Sequence, residues 1–143
     1  MTKFNRLHSN IVCPVSSSHK GGFIQDLTMN QITIMNSIFT HVCAYNGGAI
    51  YLQGFSDINI VNSNFTHCSS VDYGGAIFTS NYKKLQMDNL VFSDNSGGLG
   101  GSDLLVLDSL APLTLSHSSF TRSQNNSAIL SIRASLTISS SSF

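Results

Sequence analysis

The chain contains no glutamate and no tryptophan, and charged side chains make up only 10% of it. Folded domains ordinarily carry about a quarter. Its polarity must therefore come from hydroxyls and amides, and serine and asparagine are abundant. Seven basic and seven acidic residues leave a formal net charge of zero. A surface without a dominant sign offers no electrostatic steering toward nucleic acid or anionic membrane. No stretch approaches the roughly 18 consecutive apolar residues that a membrane span needs. Residues 1–20 hold Lys3 and Arg6 but no continuous apolar run. No signal peptide is legible there, so a secreted protein would carry its signal outside this sequence. There are only two prolines, Pro14 and Pro112, and Pro112 falls at a predicted strand start, where a missing N–H is tolerated. Glycine-rich phosphate loops, a serine nucleophile elbow and zinc-ligand spacings are absent, and no cofactor is expected.

What is present is a repeat. Ile-Thr-Ile-Met-Asn-Ser-Ile-Phe-Thr-His, from Ile32 to His41, returns as Ile-Asn-Ile-Val-Asn-Ser-Asn-Phe-Thr-His, from Ile58 to His67. Each copy is followed by Gly-Gly-Ala-Ile, at Gly47–Ile50 and Gly74–Ile77. More degenerate copies follow at Leu85–Phe92, Leu113–Phe120 and Leu136–Phe143. The marker phenylalanines Phe39, Phe65, Phe92, Phe120 and Phe143 are separated by 26, 27, 28 and 23 residues. A period in this range signals a solenoid or another repeat array. Within each copy, Ile32-Thr33-Ile34, Ile58-Asn59-Ile60, Leu85-Gln86-Met87, Leu113-Thr114-Leu115 and Leu136-Thr137-Ile138 alternate with period two, the strand period. Three short strands and three turns fill such a repeat. A chain that makes three strands and returns to its start is a coil of a parallel β-helix, with equivalent residues about 4.8 Å apart along the axis. About five such coils are expected.

Stacking the copies predicts which residues face in. The first-strand pairs and the column Phe39, Phe65, Phe92 and Phe120 point inward; Thr40, Thr66, Ser93 and Thr121 point out. Asn36, Asn62 and Asn89 align at a turn and predict an asparagine ladder. Gly47-Gly48, Gly74-Gly75 and Gly100-Gly101 predict a tight corner that admits only glycine. In the third strand the register of Ala128, Leu130 and Ile132 is carried back. It puts Ala49 and Tyr51, Ala76 and Phe78, and Ser102, Leu104 and Val106 inside. Ile50, Leu52, Ile77, Leu105 and Ile129 then face out as an aligned apolar column, the expected association surface.

Gly-Gly-Ala-Ile paired with a Phe-x-x-Asn motif resembles the repeats of chlamydial polymorphic membrane proteins and of other surface proteins with pectate-lyase-like β-helices. Gly47–Ile50 and Gly74–Ile77 match the first motif fully, and Gly100-Gly101-Ser102-Asp103 matches it in part. Phe92-Ser93-Asp94-Asn95 is the one complete match to the second; Phe39-Thr40-His41-Val42 and Phe65-Thr66-His67-Cys68 lack its asparagine. The resemblance covers roughly residues 30–143 and implies an all-β, right-handed parallel β-helix. That fold carries adhesins, lyases, hydrolases and stalks alike, so it implies little about role.

One domain is expected. Residues 1–30 read as a partial first coil or cap, in which Gly21-Gly22-Phe23-Ile24 echoes the glycine corner and Val15-Ser16-Ser17-Ser18 reads as a loop. Residues 31–143 read as the repeats, expected to continue, or to be covered by a partner, beyond Phe143. Cys43 and Cys68 fall near one corner of adjacent coils. A spacing near 4.8 Å suits either a disulfide or two buried thiols. Cys13 has no evident partner.

Catalysis is not expected. Pectate-lyase-like chemistry would need clustered carboxylates, and the seven aspartates at 26, 57, 72, 88, 94, 103 and 108 are scattered. His41, His67, Asp94 and Arg122 each lie two residues after a marker phenylalanine and form a turn column. It reads as a solvated turn rather than a metal site, because no supporting shell is recognisable. Asn64-Phe65-Thr66 and Asn125-Asn126-Ser127 are candidate N-glycosylation sequons at Asn64 and Asn125. The leading expectation is a non-enzymatic, extracellular or cell-surface solenoid: an adhesin, stalk or filament subunit. Its partners would be copies of itself, the rest of a longer chain, or glycans. The alternatives are a fragment of a carbohydrate-active enzyme, or a glycan- or ice-binding face built from Thr33, Asn59, Gln86, Thr114 and Thr137.

Overall fold

The computed structural model describes residues 2–5, 8–9, 20–26, 31–54, 57–109 and 111–143. These residues form an all-β solenoid of about four turns, without helix and with parallel pairing throughout. The five marker phenylalanines are the boundaries of those four turns. Alternation of apolar and polar residues makes each coil a series of short strands. Glycine, asparagine and other residues tolerant of positive φ turn the chain between them.

The largest sheet stacks Thr2–Asn5, Gln31–Met35, Asp57–Thr66, Lys84–Ser93, Leu113–Ser116 and Leu136–Ser139. Ile38–Thr40 and Ser119–Thr121 join it beside the second halves of the two ten-residue strands, and His8–Ser9 pairs with Ile38–Thr40. A second sheet stacks Ile24–Asp26, Ile50–Gln53, Ile77–Ser80, Leu104–Leu107 and Ile129–Ile132. A third is made of the two-residue strands Cys43–Ala44, Ser69–Ser70 and Ser96–Gly97. Three coils thus have a fourth short segment beyond the three expected. The described N-terminal residues pair in register with the following coil, with Phe4 opposite Ile34, His8 opposite Ile38 and Ile24 opposite Ile50. The Val15–Ser18 loop and Cys13 lie outside the described residues.

Corners are single residues in left-handed conformation. Asn36, Asn62, Asn89, His117 and Ser140 form one such column, with φ between 47° and 52°. Side-chain amides link it: Asn62 Nδ2 donates to Asn36 Oδ1 (3.3 Å) and Asn89 Nδ2 to Asn62 Oδ1 (2.9 Å). Asn36 Nδ2 continues the chain to Asn5 Oδ1 at 3.1 Å. Asparagine tolerates this conformation best after glycine, so one residue satisfies both the turn and the ladder. The serine after it is buried and forms a second ladder that was not anticipated. Ser37 N–H donates to Ser63 Oγ at 3.1 Å, and Ser63 Oγ donates to the Val61 carbonyl at 2.9 Å. Ser118 repeats the arrangement beneath Leu90.

The core is one column set running the length of the rod. Phe39, Phe65, Phe92, Phe120 and Phe143 stack with ring centroids 4.7–5.1 Å apart and interplanar angles of 12° or less. Phe23 meets Phe39 edge-on at 5.9 Å.

Three expectations are corrected. The first concerns the association column. Ile50, Leu52, Ile77 and Ile129 face the core, not solvent, and Leu105 faces outward but is buried. The cause is a corner at which both N–H groups of an Ala-Ile pair donate to one carbonyl. Ala49 and Ile50 share the Ala76 carbonyl at 2.9 and 3.0 Å, and Ala76 and Ile77 share that of Asp103. Like a bulge, this resets alternation, so two successive residues point inward and everything after them changes face. Tyr51, Phe78 and Leu130, expected inside, form the outer column with Leu105.

The second correction shifts a glycine corner by one residue. Left-handed φ occurs at Gly47, Gly74 and Gly101, near 60–65°. Gly101-Ser102, not Gly100-Gly101, continues the corner; Gly100 lies opposite Tyr73. Gly48 and Gly75 follow because a Cβ there would come within 2.0 Å of the carbonyl oxygen of the next coil, at Gly75 and Ser102 respectively.

The third concerns Cys43 and Cys68, which are not bonded to each other. Cys68 is a free, buried thiol, whereas Cys43 is disulfide-bonded. The ladder pairs Cys43 with Ser69, so Cys68 is one residue out of register. One residue is enough to put the two sulfurs on opposite faces.

Candidate interaction surface

Beyond the second sheet, outside the main core, the outward residues build a smaller apolar cluster. Tyr51, Phe78 and Leu105 are its buried centre, with Tyr73, Leu107 and Leu130 against them. The Tyr51 and Phe78 rings stack at 4.7 Å, and Lys20 Nζ sits 5.2 Å from the Tyr51 ring centroid. Tyr51 Oη donates to Gln53 Oε1 at 2.8 Å. An open cleft of about 160 Å³ runs between Tyr73, Phe78, Leu105, Leu107 and Ile132. Ile132 retains 38% of its exposure there. The outward column is therefore Tyr51, Phe78, Leu105 and Leu130; of the residues expected there only Leu105 belongs to it, and all but Leu130 are buried.

The outer face of the largest sheet is different in character. A groove of about 150 Å³ is lined by Gln31, Thr33, Asp57, Asn59, Lys84 and Gln86, among others. Thr33, Asn59, Gln86 and Thr114 share one register column, as expected, and Thr137 extends it.

Exposed corners carry the charge. His41, His67, Asp94 and Arg122 share one left-handed column with φ of 53–56°. The His41 and His67 rings stack at 4.8 Å, 2° from parallel. Arg122 clasps Asp94 through Nε and Nη2, each 2.6 Å from a carboxylate oxygen. Those hydrogen bonds hold the Asp94 carboxyl below its ordinary range. Asp88 is lowered likewise, first by its hydrogen bond from His117 and then by that from Ser116. Arg133 pairs with Asp108 at a third corner. Among the described residues no group of three or more His, Cys, Asp or Glu side chains is placed to hold a metal ion.

A polar cluster inside the solenoid escaped sequence reasoning. Asp103 occupies the inward corner position held by Ala49, Ala76 and Ala128 in the other coils. It is fully buried. Asn95 Nδ2 donates to its Oδ1 at 2.7 Å, and Ser123 Oγ to its Oδ2 at 2.5 Å. Asn95 also donates to the Phe65 carbonyl and accepts from Cys68 N–H. Burial raises the Asp103 carboxyl, against the pull of Ser123 and Asn95. Burial likewise pushes the Cys68 thiol up to about 12, so it is no nucleophile. The sequence did hold a signal. The coil with the complete Phe-x-x-Asn motif is the coil in which Asp replaces Ala in Gly-Gly-Ala-Ile, and the two substitutions are hydrogen-bonded to each other.

Both sequon asparagines are exposed, Asn64 on the outer face of the largest sheet and Asn125 at a corner with φ 74°. No protein-family model, curated protein or solved structure matches the chain.

Proposed function

We propose that the chain is a non-enzymatic structural and interaction solenoid of an extracellular or cell-surface protein, one that associates laterally through the outer strip of its second sheet. The observation that carries this reading is the cleft between Tyr73, Phe78, Leu105, Leu107 and Ile132. It is an apolar opening in which Ile132 is 38% exposed and Tyr73 and Leu107 are half-buried, and a clustered apolar opening of this kind asks for a partner. A second copy of the chain is the partner proposed. The disulfide at Cys43 fits an oxidising compartment. Asp88, Asp94 and Asp108 are engaged at exposed corners by His117, Arg122 and Arg133. Asp103 is enclosed in the core. These aspartates serve the joints between coils and form no acid/base pair around a bound substrate.

The test is sedimentation across a concentration series, with Leu107→Asp and Ile132→Asp as variants. The native chain is expected to associate and the variants to remain monomeric. A native chain that stays monomeric at high concentration would count against the proposal. A second reading is favoured by the polar groove on the largest sheet, whose amides and Lys84 suit glycan hydroxyls. Calorimetric titration with neutral oligosaccharides, against Asn59→Ala and Gln86→Ala, separates the two. Release of products from those oligosaccharides would favour an enzyme instead.

A further inference from the structure

The stacked histidines are used by none of this. We propose that His41 and His67 together chelate a divalent transition metal of the zinc, copper or nickel kind. They occupy equivalent left-handed corner positions on consecutive coils, with φ of 54° and 53°. Their backbones are pinned by ladder hydrogen bonds, His41 N–H to the Thr66 carbonyl at 3.1 Å and His67 N–H to the Ser93 carbonyl at 3.0 Å. Both side chains are exposed, and their rings lie parallel 4.8 Å apart. Thr40 Oγ1 lies 2.9 Å from His41 Nδ1. That contact orients the ring and leaves Nε2 as the nitrogen without a protein partner. A hydrogen bond at one ring nitrogen commonly fixes a metal-ligating imidazole through the other.

Metal–imidazole bonds of about 2.0–2.1 Å limit two donors on one ion to a separation of about 4.2 Å or less. Parallel rings hold their in-plane lone pairs parallel rather than convergent. At least one exposed side chain must therefore turn out of the stack to bring its nitrogen onto the shared ion, a rotamer change open to exposed residues on the picosecond-to-nanosecond scale. Imidazole pairs prefer copper, nickel and zinc over magnesium or calcium. Asp94 stands next in the column, but both of its oxygens are held by Arg122. Water, not Asp94, completes the coordination. The consequence is structural. At this corner Arg122 and Asp94 clamp one pair of coils, and a metal would clamp the pair that has imidazoles instead. An ion that recognises the folded spacing stabilises the folded chain.

The experiment is calorimetric titration of the full chain with zinc chloride, paired with thermal melts. His41→Asn and His67→Asn retain a residue suited to positive φ. Expected are one saturable zinc site, a melting temperature that rises with zinc and returns on chelation, and no response to magnesium. Each variant should lose about tenfold or more in affinity, and the double variant should show no saturable site. Unchanged affinity in either variant, with only the number of sites reduced, would mean isolated imidazoles and would overturn the chelate. Asp94→Asn is expected to bind like the native chain; loss of binding there would overturn the two-imidazole assignment. If a variant fails to fold, copper bound at one equivalent to the native chain decides by electron paramagnetic resonance: two coordinated nitrogens support the proposal, and one refutes it.

Discussion

Replacing Phe65 by alanine tests the stack on which every coil rests. The ring is fully buried and lies between Phe39 at 4.9 Å and Phe92 at 5.1 Å. Truncating a buried phenylalanine costs about 3–5 kcal/mol, because transfer energy is lost and a cavity is left. Collapse of the cavity is hindered on both sides, since the neighbouring rings belong to coils held apart by ladder hydrogen bonds. The upper part of that range is therefore expected. With about 2–4 °C per kcal/mol for a chain of this size, the melting temperature should fall by roughly 8–20 °C. Two controls share the measurement. Phe143→Ala removes a ring that is 67% exposed and stacked on one side only, and should cost about 1 kcal/mol. Thr66→Ala removes a half-buried outward side chain whose Oγ1 accepts from Ser93 at 3.3 Å, and should cost about 0.5–1 kcal/mol. Urea denaturation read by circular dichroism gives all three. Equal losses at Phe65 and Thr66, or a larger loss at Phe143 than at Phe65, would refute the stacked core.

Two further outcomes are expected. The Asp103 carboxyl is raised by burial, so the native chain holds its proton where the unfolded chain releases it, and stability falls as pH rises from the ordinary carboxyl range through the folded value. Asp103→Asn, which keeps an acceptor for Asn95 and a donor toward Ser123, should remove that component of the pH dependence in melts from pH 4 to 8 and stabilise the neutral chain; a native chain that gains stability over that window relative to the variant would contradict it. Gly75→Ala should be among the most damaging small substitutions, because its Cβ would meet the Ser102 carbonyl oxygen at 2.0 Å, whereas Gly100→Ala meets only a movable Leu130 methyl group; expression and melting of the two variants should differ sharply, and equal behaviour would return the corner to Gly100-Gly101.

The architecture was legible because a repeat supplies its own alignment. The phenylalanine stack and the asparagine ladder could be read by superposing copies, and the structure places both as expected. The second sheet departs from simple alternation for one reason. Its strands follow a corner where an Ala-Ile pair points both residues inward, and alternation alone cannot register such a reset. The same one-residue sensitivity separated Cys43 from Cys68. The Asp103 cluster was missed because it depends on contacts across the interior. Asn95 and Asp103 are eight residues apart in sequence but meet through the hollow of one coil, and no ladder alignment pairs them.

The coils are therefore similar in fold but unequal in what joins them. Asp88, Asp94, Asp103 and Asp108 all belong to one coil, and their partners His117, Arg122, Ser123 and Arg133 to the next. All three ion pairs among the described residues cross this joint. The preceding joints carry an amide ladder, a stacked imidazole pair and a glycine corner at the equivalent turns. Exposed ion pairs contribute little and weaken with salt, whereas the phenylalanine stack carries no charge for salt to screen. The charges thus add little to cohesion where the core already supplies it. What they add is discrimination: a coil with the wrong residues at those corners would set like charges together or leave Asp103 enclosed without its donors. In a repeat whose neighbouring copies are nearly interchangeable, that mismatch opposes stacking out of order. Asp103 has the strongest effect of the four, because its position is the one from which water is excluded.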